Sequence, residues 1–420
     1  MNTTSLTIAG LVAIALLRTP AQAQEPQRIT LAEALALFSR NNLELQLSRA
    51  DAAEAAGLAL QAAAFPNPSI VATHEPLANS GATYSESYVN LSQRIEWPGT
   101  RAARKRAAAH AVSAAVARVA ADSLRIAFAV KRAFVEAAHA ENQITLLARV
   151  TAVFRAAEQR AGARFAEGDL SRYDLQRVRT ERMRYESALA EAELDAEAAR
   201  RTLVLLVAPG TATGLAPEPL PGAAPPSVRV ESALALALAR RPELRAATAA
   251  VDGAAAGAAS VRSERIPDIT ATAGFKGQSD GFGGGYFGVS LPLPLWDRRG
   301  GAAEAAQARL AGSEARLALT GRQIENDVRR AMDAYLSLLR RSALLDDAQA
   351  GDAGDLLEMA QVAWSEGEMG LLGLLDAAAA LRDAKSLEAR LRSDLWIAYY
   401  DIERAVGGFD GHANDREGAR

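Results

Sequence analysis

The sequence predicts a mainly α-helical protein with a membrane β-barrel contribution, built as a duplicated unit of long antiparallel helical hairpins with four β-strands per chain. Three observations predict it. First, the chain repeats itself at one offset of about 200 residues. Ala34-Leu35-Ala36-Leu37 returns as Ala233-Leu234-Ala235-Leu236, Glu44-Leu45 as Glu243-Leu244, and an extended segment ending at Trp97 as one ending at Trp296. Phe165-Ala-Glu-Gly168-Asp169 likewise returns as Trp364-Ser-Glu-Gly367-Glu368. Second, no proline falls between Pro98 and Pro209 or after Pro294, and both tracts are rich in Ala, Leu, Arg and Glu. Proline costs about 3 kcal/mol inside a helix, so these tracts are free to form very long ones. Third, each repeat carries segments of period-2 apolar alternation ahead of its long helical tract.

The elements follow in order. Residues 1–23 read as a signal peptide, with an apolar run Leu6–Leu17 and Ala21-Gln22-Ala23 as a small-residue cleavage site, although no base precedes the run. The first repeat occupies 24–208: a helix, two strands within about 66–97, and a hairpin over about 99–208. Its long helix runs from Gly99 to about Phe165, roughly 100 Å at 1.5 Å per residue. The stripe Leu124, Phe128, Val135, Ile144, Leu147 and Val150 recurs at helical spacing. Pro209–Pro226 is a proline-rich linker. The second repeat occupies 227–406, with strands within about 266–296 and a hairpin over about 299–406. Here Val328, Met332, Tyr335, Leu336 and Leu339 form the stripe. Each hairpin turns at a glycine, Gly168 or Gly367. The tail 407–420 is Gly-, Asp- and Arg-rich and is expected to be disordered.

In the strands, Val89, Leu91, Ile95 and Trp97 alternate with Asn90, Ser92, Arg94 and Glu96. Phe287, Val289, Leu291, Leu293 and Leu295 alternate with Tyr286, Gly288, Ser290, Pro292 and Pro294. The partners are a segment near Pro68–His74, ambiguous in register, and Ile269, Ala271, Ala273 and Phe275. Pro292 and Pro294 count against a regular ladder at the end of the fourth strand. A sheet in lipid must close on itself, and four strands are too few, so copies must pool their strands.

Composition excludes several classes of function. Cysteine is absent and the net charge is −3, so disulfides, thiolate metal sites and nucleic-acid partners are not expected. His74, His110, His139 and His412 are scattered, with no pair at ligand spacing. No nucleophile–base set, phosphate-binding glycine loop or catalytic carboxylate pair can be read. The chain is therefore expected to be no enzyme, to hold no metal and to need no cofactor.

Four passages carry a family resemblance: Ala64-Phe-Pro-Asn-Pro68, Ser92-Gln-Arg-Ile-Glu-Trp-Pro-Gly99-Thr-Arg101, Ser290-Leu-Pro-Leu-Pro-Leu-Trp-Asp-Arg298, and the two Glu-Gly turns. Together they resemble the TolC-type outer-membrane efflux proteins, more closely the CzcC-like branch that serves heavy-metal resistance pumps. The resemblance implies a homotrimeric α-barrel/β-barrel tunnel, with four strands per subunit in a twelve-stranded barrel. It places the chain in the outer membrane of a Gram-negative bacterium, with a long periplasmic portion. It implies a passive duct docked on a periplasmic adaptor and an inner-membrane pump of the resistance–nodulation–division type. A multidrug or type I secretion channel is the second reading, and a periplasmic adaptor the third.

The resemblance also assigns residues. Adaptor contact falls on the hairpin tips Glu167, Gly168, Asp169, Leu170 and Ser171, and Glu366, Gly367 and Glu368. The pore constriction falls on Asp376 and Asp174, each a ring of three acids under threefold symmetry, attractive to cations. The family often has a second acid one turn before Asp376; this chain has Gly373 there. For the tip acids, simple helix-dipole and solvent complementarity stands as the other reading. Arg101, Arg104, Lys105, Arg106, Arg298 and Arg299 follow the strands. Bases at a helix N-terminus are unfavourable, which suggests a collar facing outer-membrane lipid head groups; a solvated face is the other reading.

Overall fold

The computed structural model describes residues 27–210, 214–226, 228, 232–348 and 353–408. The expected signal peptide and most of the expected tail, including His412, lie outside the described residues. The first repeat contains β1 (Gln27–Ile29), α1 (Leu31–Asn41), α2 (Leu43–Ala63), β2 (Ser69–Asn79), β3 (Ala82–Ile95), α3 (Thr100–Glu167) and α4 (Arg172–Val207). After β4 (Leu215–Pro217) come α5 (Ala233–Arg240), α6 (Pro242–Ser263), β5 (Ile269–Gln278), β6 (Gly283–Ser290), α7 (Gly300–Ala348), α8 (Ala353–Glu366) and α9 (Leu371–Ala405). Residues 349–352, between α7 and α8, are not described. The proline-free tract of the first repeat forms α3, of 68 residues, and α4, of 36.

The single N-terminal helix expected in each repeat is in fact two. Thr30 opens α1 with a capping box: its hydroxyl accepts from the Glu33 amide at 3.1 Å, and Glu33 accepts from the Thr30 amide at 2.8 Å. Asn42 then ends α1 in an extended conformation and caps α2, its Oδ1 accepting from the Leu45 amide at 2.9 Å. In the second repeat the break falls at Arg241, before Pro242 in the first turn of α6. The side chain of Asn42 also donates to the Leu206 carbonyl at 2.9 Å. Arg241, at the equivalent position, donates to the equivalent carbonyl, Ala405, at 3.3 Å.

Two sheets form. A small parallel pair joins β1 to β4, matching Ile29 to Pro217; it was not anticipated from the sequence. The larger sheet is antiparallel in the order β2-β3-β5-β6. Strand β3 of the first repeat pairs with β5 of the second, Leu91 opposite Ala273. The uncertain first strand is registered with Ile70 opposite Leu91. The alternation through Leu295 does not continue as strand, because β6 ends at Ser290. Pro292 and Pro294 lack the N–H a ladder needs.

Three apolar clusters organise the helices. One joins α1 and α2 to the middle of α3 and the end of α4, around Phe38, Leu45, Phe134 and Leu203. A second joins α5 to α7 and the end of α9, around Tyr335, Leu395 and Ile402. The third unites both hairpin tips: Phe154, Leu175 and Val178 from the first, Trp364, Leu374 and Ala378 from the second. Phe154 and Tyr185 stack within it, ring centroids 4.9 Å apart. No described helix is long and apolar enough to cross a membrane.

Candidate functional site

The two hairpin tips are built alike. Gly168 (φ 86°) and Gly367 (φ 82°) take left-handed conformations that favour glycine. In each, the glycine amide reaches back three residues, to Phe165 or Trp364, and the next amide reaches back five, to Arg164 or Ala363. That double bond is the Schellman closure of a helix. Beyond the turn the two diverge. In the first tip the Ser171 hydroxyl accepts from the Asp174 amide at 3.0 Å and donates to the Asp174 carboxylate at 2.6 Å. The second tip has Gly370 and Gly373 at these places and no side-chain cap.

Asp174 is therefore half-buried and already engaged in capping α4, whereas Asp376 is exposed. Glu167, Asp169, Glu366 and Glu368 are exposed around the turns, as are Gly168, Ser171 and Gly367; Leu170 packs against the tip core. Gly373 has a reason visible in its surroundings. A Cβ there would stand 2.6 Å from the sulfur of Met369, which packs against the same core. An acid at 373 would displace that thioether.

Above the first tip, α3 and α4 are clasped by charge. Arg155 binds Glu186 at 2.8 Å, Arg179 binds Glu158 at 3.1 Å, and Arg182 binds both acids. Arg155, then Arg182, hold the Glu186 carboxyl below its usual range. Between repeats, Lys131 of α3 pairs with Glu403 of α9.

The bases after the strands separate into two groups. Arg101 donates twice to the Ala63 carbonyl, at 2.8 and 2.6 Å, and lies over the Phe65 ring. Arg104 donates to the carbonyls of Ala62 and Ala64 and pairs with Glu96. Both thus close the C-terminus of α2, where cations suit the helix dipole. Their compensation is protein: backbone carbonyls for both, and the Glu96 carboxylate for Arg104. Arg299, the one described non-glycine residue with positive φ, pairs with Glu264. Lys105, Arg106 and Arg298 remain exposed.

Register divides the four-stranded sheet into two faces, because directly paired residues share a side. One face carries Ile70, Val89, Leu91, Phe275, Phe287 and Val289, all exposed, Phe287 to 89%. The other is polar. Ser92 meets Thr272 at 3.0 Å, and the Tyr286 hydroxyl donates to Asn90. Gly274 makes room for that tyrosine: a Cβ there would stand 2.8 Å from the ring. At the level of Lys276, Glu86 gathers an ammonium, two tyrosine hydroxyls and an amide. The sequence reading passed over this second set of residues, whose only signal was polar alternation between apolar positions.

An exposed apolar face, an opposite polar face, two sheet edges with no described partner and paired hairpins of this length define an outer-membrane efflux channel of the TolC type. The family model described as outer membrane efflux protein matches residues 233–408, from α5 to the end of α9. Over its second repeat the chain matches that family, and it is an outer-membrane protein. By sequence it is similar to the cobalt-zinc-cadmium resistance protein CzcC of Cupriavidus metallidurans, 28% identical over 404 residues, or 92% of each chain. By fold it is similar to the CmeC outer membrane channel of Campylobacter jejuni, with a TM-score of 0.76 at 17% identity over 90% of this chain and 85% of that one. The MtrE outer membrane channel of Neisseria gonorrhoeae gives 0.73 at 21% identity, over 90% and 89%. The CzcC-like resemblance read from the strand-closing passages is thereby borne out.

Proposed function

We propose that three copies of the chain assemble into a passive duct for heavy-metal cations, fed by a periplasmic adaptor and a proton-driven inner-membrane pump. The observation that carries assembly is the pair of free edges, β2 and β6, on a sheet whose apolar face is exposed. Edge pairing between copies satisfies the backbone and closes the sheet, which lipid demands. The metal reading rests on the similarity to CzcC over nearly the whole chain.

In this reading the hairpin tips, Glu167 to Ser171 and Glu366 to Glu368, meet the adaptor. Asp376 supplies the acid ring, because it is exposed while Asp174 is turned to its own helix cap. The lipid-facing bases reduce to Lys105, Arg106 and Arg298. The duct itself performs no bond chemistry; the pump supplies energy, and tip opening admits cargo.

Growth of a deletion strain across cobalt, zinc, cadmium, nickel, copper and silver, beside dyes and antibiotics, tests the proposal. Sensitivity to one group of metals, reversed by the wild-type gene and only partly by Asp376→Ala, is expected. Sensitivity to drugs alone would sink the metal reading in favour of a multidrug channel.

A further inference from the structure

We propose that β6 is completed only on assembly: the Leu291–Leu293 segment joins it as strand by pairing with β2 of a second copy. Leu291 then lies opposite the partner subunit's His74, and Leu293 opposite the partner subunit's Ala72. This rests on the duct reading, since only assembly brings a second copy to this edge.

The free backbone groups make the pairing possible. In an antiparallel ladder one residue sends its N–H and C=O to one side, and the next residue sends them to the other. The Gln278 amide donates to the Phe282 carbonyl at 2.8 Å, so even-numbered residues of the last strand face β5 and odd-numbered ones face the free edge. Pro292 and Pro294 are even. The donors they lack belong to the inner side, below the first residue of β5, Ile269. Leu291 and Leu293 keep N–H groups for the free edge. At the other end of the sheet, the Ser279 amide donates to the Ser85 carbonyl at 2.9 Å. Odd residues of β3 therefore face β5, and even ones face the odd residues of β2. That leaves Ile70, Ala72 and His74 with their backbone groups at the free edge of β2.

The duplication sets the register, because the chain already contains one junction of this kind, β3 on β5. Pro68-Ser69-Ile70 corresponds to Pro267-Asp268-Ile269 at the offset that relates Gly168 to Gly367. Ile70 pairs with Leu91. Ile269, one step beyond the Thr270–Ser290 pair, falls opposite Leu291, so Leu291 is the counterpart of Leu91. Across the internal junction Leu91 pairs with Ala273 and Gln93 with Ala271, the counterparts of His74 and Ala72. Faces agree as well. Leu291 and Leu293 continue the apolar row of Phe287 and Val289, and Ala72 and His74 share the side of Ile70. A slip of one residue would turn both leucines to the polar face.

The seam needs these pairs. Strand β6 ends at Ser290, and in this register everything on β2 below Glu75 would otherwise hold its outward N–H and C=O groups unpaired against lipid. Pro76, at the same edge, has no N–H for Val289, so the pairs below it matter more. In the single chain Leu291 and Leu293 are exposed, and the Leu295 amide turns back on the Leu293 carbonyl at 2.8 Å. A carbonyl has a second lone pair, so that bend can end the added strand while Leu293 accepts the Ala72 amide of the partner.

The chain has no cysteine, so introduced pairs report the seam without background. Leu293→Cys with Ala72→Cys sets Cα atoms of two copies about 5.5 Å apart, within disulfide reach. Leu293→Cys with Ile70→Cys, or with His74→Cys, sets them about 8 Å apart, beyond it. Ser290→Cys with Glu75→Cys repeats the test where β6 is already strand. Within one chain the two edges are three strand spacings apart, about 14 Å, so every disulfide joins two copies. Heat-modifiable migration before oxidation reports assembly. Copper–phenanthroline treatment of outer membranes should convert both in-register pairs to boiling-resistant, reductant-sensitive species of up to three copies, several-fold ahead of the out-of-step pairs. Assembled protein in which Leu293→Cys does not link to Ala72→Cys overturns the extension. Preferential linking of an out-of-step pair overturns the register. Both results leave the duct standing. Absence of heat-modifiable migration in the cysteine-free chain, with no disulfide in any variant, overturns the duct and the inference together.

Discussion

Asn42 and Arg241 occupy the same place in the two repeats and reach the same carbonyl, that of Leu206 or Ala405, with different chemistry. Each sits where a short helix breaks and a second begins, and each ties that break to the end of its own hairpin. Asn42 does so as a neutral cap. Arg241 does so as a buried cation, with Glu243 at 2.9 Å and Asp327 at 3.5 Å. Asn42→Ala removes a cap and a long-range hydrogen bond and should cost about 2 kcal/mol. Arg241→Ala also takes the cation from Glu243, while Asp327 keeps Arg330 and Arg404, and should cost about 3 kcal/mol. Thermal melting of the purified protein checks the order; equal losses would show that the charge adds nothing.

The Arg104–Glu96 pair predicts a pH dependence at the junction of strand and helix. The Glu96 side chain is only 7% exposed. The Arg104 hydrogen bond is the main reason its carboxyl lies below the ordinary value of 4.5. A depressed carboxylate stabilises the fold above its unfolded value, and that contribution is lost as pH falls through the folded one. The junction should therefore hold at neutral pH and begin to loosen below about pH 4.5. Glu96→Gln should lower stability at pH 7 and flatten this acid limb. Limited proteolysis near residues 96–104 reads both effects, and an unchanged acid limb would remove Glu96 as its source.

How much of this was legible follows from the range of the forces. The long helix α3 was readable because proline is excluded locally, and the tip glycines because one offset relates them. The β1–β4 pair was not. Its strands have three residues each, and Ile29 and Leu215 are buried only because the chain brings them together across nearly the whole first repeat. The roles of Arg101 and Arg104 were hidden for the same reason. Their partners are carbonyls of α2, about 40 residues earlier, and a row of bases reads identically whether it faces lipid or backbone. At the tip, the sequence pointed to both Asp174 and Asp376. Only geometry separates the acid that caps its own helix from the one left exposed.

Gly373 predicts a compensated substitution. Restoring an acid with Gly373→Asp forces the Met369 thioether off the tip core, so the variant should be less stable. The loss should be about 1–2 kcal/mol, from displaced packing beside a flexible side chain. Met369→Ala should also destabilise, by removing the same contact. Together the two changes should cost less than the sum of their separate losses, because the second leaves room for the first. A double-mutant cycle on thermal stability measures this coupling, and strict additivity would show that Met369 does not determine what position 373 can hold.

The seam between the repeats predicts a second, milder pH response. His139 of α3 is partly buried, and its Nδ1 has no described partner. Burial pushes the imidazole below its ordinary value of 6.5, outweighing the backbone carbonyl of Ala389 and the carboxylate of Asp394, while Arg390 adds to the shift. A histidine depressed in this way is neutral in the fold and charged in the unfolded chain just below that value. Its stabilising contribution is therefore present above about pH 6.5 and is lost as pH falls through the lower folded value. The packing of α9 on α3 should loosen in mildly acidic buffer, while Gln143 and Ser386, joined at 3.2 Å further along the seam, follow it. Protection factors for hydrogen exchange across residues 386–396 should fall between pH 7 and pH 5, once the slower intrinsic exchange at lower pH is divided out. His139→Phe should abolish that fall while keeping the neutral-pH protection. A fall that persists in His139→Phe would move the response to another group.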